Sequence, residues 1–226
     1  MALGLMYLPF EIFEAPYQPL DGFAGLKDGN LAVYGRALAR AESGRLEGIS
    51  SAWISGCPES ACAVVGRMKS LRRLVIFGWA MPDLSLLSEL HGLEALGITD
   101  SPNLKSLAGL ERLVNLRELY LTSNMGISEV SQVKALKNLK TLCLEGGFSK
   151  PLHLDTLAPL SSLSGVERLR LASIRVRDKS LRPLVEMTSL QEVFVAKTFP
   201  KSELRFVAAH RPDVHGEFLD SFRSEA

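Results

Sequence analysis

The three cysteines are the most nucleophilic side chains in this sequence. They are Cys57, Cys62 and Cys143, an odd number without regular spacing, so they do not form a disulfide framework. Cys57 and Cys62 lie close together, but a zinc site of this kind needs a second pair of ligands. We therefore predict three buried free thiols in a reducing compartment.

The histidines are the other candidates for metal binding or general-base chemistry. His210, Asp213 and His215 could be imagined as a metal site, but Pro212 interrupts a helical face and the spacing is unspecific. The sequence also lacks the common motifs of serine hydrolases, zinc proteases, phosphate-binding loops and dinucleotide-binding folds. We expect no catalytic residue, no cofactor, no metal and no small-molecule substrate. The predicted surface histidines are His91, His153, His210 and His215.

The composition narrows the class of protein. Of the 226 residues, 46% are hydrophobic but only 7% are aromatic. The hydrophobic content is carried by leucine, which indicates helices or leucine-containing repeats. A net charge of +1 does not favour binding to nucleic acid or anionic lipid. The first ten residues lack the basic region of a secretory signal, and no apolar run approaches the ~20 residues of a membrane span. We expect a soluble cytoplasmic protein, with a secreted effector as the alternative.

A repeated Leu-x-x-Leu-x-Leu unit organises the chain. Successive units begin 22, 22, 23, 23, 27 and 24 residues apart, a regularity that chance does not explain. The longest unit contains an insertion at 148–151 that reads as a surface loop. The units begin at Ile49 (a degenerate one), Leu71, Leu93, Leu116, Leu139, Val166 and Leu190.

These units resemble the leucine-rich repeat (LRR) family, whose signature is Leu-x-x-Leu-x-Leu-x-x-Asn followed by a variable return arm. The period resembles the short class found in internalins and in a regulatory subunit of protein phosphatase 1. The resemblance implies an α/β fold: a right-handed solenoid with a parallel sheet on its concave face and short 3-10 or helical return arms. Apolar residues at every third position of the arms agree with this, as in Leu104, Leu107, Leu110 and Leu113.

The ninth position of the unit departs from the family pattern. The family stacks asparagines there to satisfy backbone groups, but only Asn124 is present in this chain. Neighbouring backbone groups must then pair in another way or with water, because buried unsatisfied groups are costly. The other ninth residues are Cys57, Trp79, Ser101, Gly147, Ile174 and Thr198.

The ends of a solenoid must cover its terminal apolar faces. We divide the chain into an N-terminal cap at 1–48, about seven repeats at 49–199 and a C-terminal cap helix and tail at 200–226; a separate small N-terminal domain is the alternative. Within the first part, 31–34 is a candidate strand. Pro200 favours a helix start and Pro212 ends that helix, and 218–219 is a candidate closing strand.

The LRR resemblance implies that the third and fifth positions of each unit face the concave surface. Adjacent strands lie about 4.8 Å apart, so these positions should form rows. In the N-terminal half they bring together an aromatic and aliphatic patch beside arginine, to which Trp79 could add. The N-terminal cap could instead fold over this patch. The candidate partner-binding residues are Trp53, Arg73, Val75, Phe77, Glu118, Tyr120, Arg168, Arg170, Glu192 and Phe194.

A basic cluster marks the C-terminal half. It runs from Arg168 to Lys179, and Glu167 and Glu192 are expected to neutralise it in part, with Arg170 stacking on Phe194. A solvated charged surface is the plainer interpretation. Nucleic acid is an unlikely partner, because acidic residues interrupt the rows.

The sequence therefore predicts a non-catalytic module that binds an unidentified protein partner on its concave face, as a monomer. One alternative is an effector or antitoxin-like inhibitor, or a substrate adaptor, for an enzyme partner. The other is binding of nucleic acid or anionic lipid through the basic cluster at 168–179.

Overall fold

The repeated units form one parallel sheet. A computed structural model describes residues 29–41, 46–195 and 198–223. Each unit contributes one strand to the sheet, and a further strand precedes the first unit. The eight strands, in their order across the sheet, are β1 (Asn30–Tyr34), β2 (Ser51–Cys57), β3 (Arg73–Trp79), β4 (Ala95–Thr99), β5 (Glu118–Thr122), β6 (Thr141–Glu145), β8 (Arg168–Ala172) and β10 (Glu192–Val195).

The return arms run back behind this sheet and complete a right-handed solenoid. The first two contain short α-helices, α1 (Gly35–Leu38) and α2 (Glu59–Val65). The later arms contain 3-10 turns, because leucines at every third position align on one face of such a turn. These turns span Ser85–Leu87, Leu110–Arg112, Ser131–Ala135, Ala158–Ser162 and Arg182–Glu186. The signature leucines and the arm leucines are buried together in one continuous core.

The sheet extends one strand beyond the repeats seen in the sequence. β1 pairs in parallel with β2, and Ala32 lies opposite Trp53 in the register of the later units. The candidate strand at 31–34 is thus confirmed. β1 lies within the predicted N-terminal cap at 1–48. The boundary between the cap and the repeats at residue 48 therefore stays a prediction. Residues 1–28 and 42–45 lie outside the described part of the chain.

Different side chains replace the asparagine ladder at the ninth position. Asn124 accepts a hydrogen bond from the backbone N–H of Ser101 (3.2 Å) and donates one to the carbonyl of Ile98 (2.8 Å). The Ser101 hydroxyl in turn accepts from the backbone N–H of Trp79 (2.9 Å). Further along, Thr198 donates to the carbonyl of Ile174 (2.7 Å). The expectation that backbone groups pair in another way is confirmed at these positions.

The longest unit forms a second, smaller sheet. Its insertion exposes Phe148 completely, as expected for a surface loop, and then continues into β7 (Leu152–Leu154). β7 pairs in parallel with β9 (Ile174–Val176), which follows β8 after a left-handed turn at Ser173. The sequence did not indicate these two strands, since each is only three residues long.

The C-terminal end is covered by two helices. α3 (Lys201–His210) begins directly after Pro200 and ends before Pro212, as predicted. The buried Arg211 then donates hydrogen bonds to the carbonyls of Met187 (2.7 Å) and Leu190 (2.8 Å) in the last arm. The predicted closing strand at 218–219 is wrong, because α4 (Glu217–Arg223) occupies this segment. A single bridge between Glu192 and His215 covers the edge of β10 instead.

Candidate functional site

The concave face carries the predicted rows in register. The fifth-position row runs from Trp53 across the sheet to Phe194, and each member is the direct strand partner of the next. The third-position row, from Ser51 to Glu192, is aligned in the same way. All ten predicted partner-binding residues therefore lie on one sheet. Asn30 and Ala32 of β1 extend both rows by a position that the sequence analysis missed.

The middle of this face is buried rather than available. Val75, Tyr120 and Cys143 are 1%, 3% and 2% exposed and form a second apolar cluster, separate from the main core, against which Trp53 and Phe77 pack. Val75 and Tyr120 thus offer little surface to a partner, contrary to the expectation that fifth-position side chains are accessible. Strand periodicity assigns a side chain to a face of the sheet, but it does not show whether neighbours cover it.

An aromatic pair marks the N-terminal end of the face. The rings of Trp53 and Phe77 are tilted by 54° with centroids 5.8 Å apart, and both side chains are half-buried beside the exposed Arg73. Trp79 does not join this patch. It is fully buried in the main core, and its indole N–H donates to the carbonyl of Asp83 (2.8 Å). The prediction that the cap covers this patch concerns in part residues 1–28, outside the described range.

A charged group marks the C-terminal end. The guanidinium carbon of Arg170 lies 4.4 Å from the ring centroid of Phe194, which confirms the predicted stacking. The Nε of Arg170 also donates to the carboxylate of Glu145 (3.1 Å), a side chain that is largely buried. This ion pair was not predicted from the sequence. The available signal was that Glu145 lies two residues after Cys143, hence on the same face of β6.

Further polar contacts link these residues to the apolar centre. The Tyr120 hydroxyl donates to Glu118 (3.0 Å), and Arg168 donates to the Thr141 hydroxyl (3.2 Å). Burial, with the nearby charge of Glu145, raises the pKa of Cys143 to about 12, so this thiol stays protonated at neutral pH. Burial, with Glu118 beside it, also raises the pKa of Tyr120. Neither group is suited to act as a nucleophile or a base near pH 7.

The predicted basic cluster is divided between two sheets. Arg168 and Arg170 lie on β8 of the eight-stranded sheet, whereas Arg175 lies on β9 of the two-stranded sheet. Arg177 pairs with Asp155 (3.2 Å). Glu167, which was expected to neutralise the cluster in part, forms an ion pair with Lys140 (2.7 Å). The turn at Ser173 produces this division, and a sequence run does not reveal it.

The remaining candidates for chemistry form local structural contacts. The sulfurs of Cys57 and Cys62 are 3.4 Å apart in the core, where their hydrogen bond and burial raise the pKa of Cys57. His210 stacks on Phe206, and Asp213 forms an ion pair with Arg211. Within the described ranges, no group of three or more histidine, cysteine or acidic side chains is arranged to hold a metal ion.

Several solved structures are similar to this chain. An internalin of Listeria monocytogenes superposes with a TM-score of 0.62 at 18% identity, covering 82% of this chain and 52% of its own. An LRR protein of Leptospira interrogans gives a TM-score of 0.62 at 19% identity, covering 83% and 47%. The LRR ectodomain of the Arabidopsis thaliana receptor kinase GASSHO1/SCHENGEN3, solved with Casparian strip integrity factor 2, gives 0.50 at 20% identity, covering 74% and 20%.

The sequence comparisons are less informative. No family model matches the chain. An uncharacterised protein of Caenorhabditis elegans is 30% identical over 80 residues, which cover 34% of this chain and 17% of that protein. The chain spans about half the length of the two bacterial structures.

The repeats, the sheet and these superpositions define a leucine-rich repeat fold, as the residues had indicated. The predicted likeness to internalins is confirmed at the level of fold. This fold is in general a binding scaffold rather than an enzyme framework. No helix among the described residues is long and apolar enough to cross a membrane.

Proposed function

We propose that the chain is a non-catalytic interaction module that binds a protein partner on its concave face. The observation that carries this proposal is the group formed by Glu145, Arg170 and Phe194. Aromatic residues and arginine dominate the energetics of protein interfaces. Here the guanidinium is already held between a carboxylate and a ring, so binding would order few additional side-chain rotamers.

The aromatic pair at the other end of the face supports the same proposal. Trp53 and Phe77 are half-buried next to Arg73, which gives this end an apolar anchor and a charge. The two ends are separated by the buried centre around Tyr120. A partner would therefore contact the face at two places, one mainly apolar and one mainly charged. The plant ectodomain solved in complex with Casparian strip integrity factor 2 is a precedent for complex formation by this fold.

The test is affinity capture from the native organism with a matched pair of variants. The concave variant is Arg170→Ala with Phe194→Ala, and the control is Arg112→Ala with Val114→Ala on an exposed return arm. We expect mass spectrometry to find proteins that the wild type and the control retain but the concave variant loses. Recovery of the same proteins with all three chains would remove the concave face from the proposal.

Narrower versions of this function stay proposals. An inhibitor or substrate adaptor would change the turnover of a captured enzyme, which an activity assay with and without the chain measures. Polyanion binding is less favoured, because the basic residues at 168–179 lie on two sheets. Heparin and anionic vesicles over a salt titration test it.

A cytoplasmic location is supported by the three cysteines, all of them free and buried. A secreted effector is the alternative, and a monomer is the expected state.

A further inference from the structure

We propose that Cys57 and Cys62 form a redox-active dithiol, which hydrogen peroxide converts into a reversible intramolecular disulfide. Their sulfurs lie 3.4 Å apart in the main core, whereas the third thiol, Cys143, lies in the separate cluster on the concave face. A disulfide bond is about 2 Å long, so the sulfurs need to approach by about 1.4 Å, which is a side-chain movement rather than a refolding step. No partner is required for this chemistry, which is separate from the proposed binding function.

The fold itself brings the two thiols together. Cys57 ends β2, Pro58 follows it, and α2 begins at Glu59. Helical side chains tilt toward the N-terminus of their helix, so Cys62 in α2 points back toward the end of β2. The Cys62 thiol donates to the carbonyl of Cys57 (3.3 Å), which leaves the Cys57 thiol as the donor in the contact between the sulfurs.

The surroundings of the pair are asymmetric and favour a thiolate on Cys62. The hydrogen bond from Cys57 is the largest of the effects that lower the pKa of Cys62. The backbone N–H groups of Ala80 and Met81 act in the same direction, and burial opposes them. The same hydrogen bond, together with burial, raises the pKa of Cys57. Because the thiolate is the nucleophilic form of cysteine, Cys62 attacks the peroxide and Cys57 resolves the product.

The reaction has two steps. The Cys62 thiolate attacks one oxygen of hydrogen peroxide: a sulfur–oxygen bond forms, the oxygen–oxygen bond breaks, and the leaving hydroxide takes up a proton to give water. The Cys57 sulfur then attacks the sulfenic acid at Cys62, so the disulfide forms and hydroxide leaves with the Cys57 proton as water. Two electrons pass from the thiols to one peroxide. Two glutathione thiols return these electrons and become glutathione disulfide, so the bond is transient in a reducing compartment.

Access to the pair depends on the first turn of α2. Cys57 and Cys62 are 1% and 0% exposed, so peroxide must enter through a local opening. α2 is only seven residues long, and no side chain caps its N-terminus. Its first two residues, Glu59 and Ser60, are exposed. Short helices without a capping side chain open readily at their ends, and hydrogen peroxide is small enough to use such an opening.

The experiment treats the full, reduced chain with hydrogen peroxide, then alkylates it in denaturant and measures its tryptic peptides by mass spectrometry. Peptide 46–67 contains both Cys57 and Cys62. We expect this peptide to lose two hydrogens in mass and both alkylation sites, and reduced glutathione to restore them. Cys143 is the internal control and should stay alkylated, because burial and Glu145 keep its pKa high and its thiol protonated. A peptide 46–67 that keeps both alkylation sites, or equally fast oxidation of Cys143, overturns the proposal.

Single variants test the roles of the two sulfurs. Cys57→Ala removes the resolving thiol, so Cys62 should accumulate as a sulfenic acid that dimedone labels and that excess peroxide converts to a form glutathione cannot reduce. Cys62→Ala should give at least about tenfold less dimedone labelling, the change in thiolate population for one pKa unit. Cys143→Ala should form the disulfide as the wild type does. Equal dimedone labelling of the Cys57→Ala and Cys62→Ala chains would overturn Cys62 as the nucleophile, and a Cys143→Ala chain without the disulfide would overturn the pairing.

Discussion

Asn124→Ala tests how the solenoid satisfies its buried backbone. Asn124 is 1% exposed, and its amide joins the Ser101 N–H to the Ile98 carbonyl by bonds of 3.2 and 2.8 Å. Alanine leaves both backbone groups buried without these partners. Leaving a buried polar group unsatisfied costs about 1–3 kcal/mol, so we expect the loss of both bonds to lower the free energy of unfolding by about 2–6 kcal/mol.

Two further variants separate hydrogen bonding from the loss of side-chain volume. Asn124→Asp keeps the acceptor for Ser101 but places a carboxylate oxygen against the carbonyl of Ile98, so it should destabilise at least as much as alanine. Asn138→Ala is the control, because the Asn138 amide donates to the Val114 carbonyl (2.9 Å) at an exposed site. This change should cost less than about 1 kcal/mol.

The assay is urea denaturation followed by circular dichroism, with the slope of the transition as a check on two-state unfolding. Repeat proteins propagate a local loss of stability to neighbouring units, so the transition could also lose cooperativity. If Asn124→Ala and Asn138→Ala cost the same, the ninth position does not hold the backbone of this chain. A stable Asn124→Asp chain would contradict the assigned donor to Ile98.

Three other predictions concern single side chains. Arg211→Ala should lower the free energy of unfolding by about 2–6 kcal/mol, because it leaves the carbonyls of Met187 and Leu190 buried without these donors. Cys143 should stabilise the fold fully below pH 9 and lose this contribution as the pH rises toward 12, by about 2 kcal/mol at pH 10.5 relative to Cys143→Ala. Gly109→Ala should cost about 1–3 kcal/mol, because φ is +98° and the new Cβ would lie 2.6 Å from the Leu84 carbonyl oxygen.

Each of these three predictions can be contradicted by a measurement. Asp213→Asn should cost less than about 1 kcal/mol, since that carboxylate is exposed, and an equal loss for Asp213→Asn and Arg211→Ala would exclude the carbonyl contacts as the cause. Denaturation of wild type and Cys143→Ala at pH 8 and 10.5 gives the pH dependence, and parallel curves refute it. Gly92→Ala, at ordinary φ with the flexible Arg72 side chain 3.3 Å and the Leu71 carbonyl oxygen 3.6 Å from the new Cβ, should be nearly neutral in thermal melts.

Much of the fold followed from the spacing of apolar residues. Leucines at positions one, four and six resemble the leucine-rich repeat signature, which implies a strand, and apolar residues at every third position suit a tight 3-10 return turn. The register of the rows followed as well, because units of nearly equal length stack with equivalent positions side by side. β1 was harder to recognise, since its unit lacks the leucine signature.

The candidate site was only partly predictable. Periodicity placed Tyr120 and Val75 on the concave face but did not show that they are buried there in a second apolar cluster. It also could not show that Trp79 turns into the core or that Glu145 pairs with Arg170. These outcomes depend on contacts between residues 20 or more positions apart.

The sequence by itself indicated the solenoid, its repeat and the residues that share its concave face, because the recurring unit resembles the leucine-rich repeat and alternate strand positions point to opposite faces of a sheet. Only the tertiary structure decided which of those residues are accessible. The turn at Ser173 divides the basic residues between two sheets, and Asn124 and Ser101 complete the backbone pairing of their neighbours. Burial and hydrogen-bond satisfaction depend on the distances between units, which the order of residues along one unit does not specify.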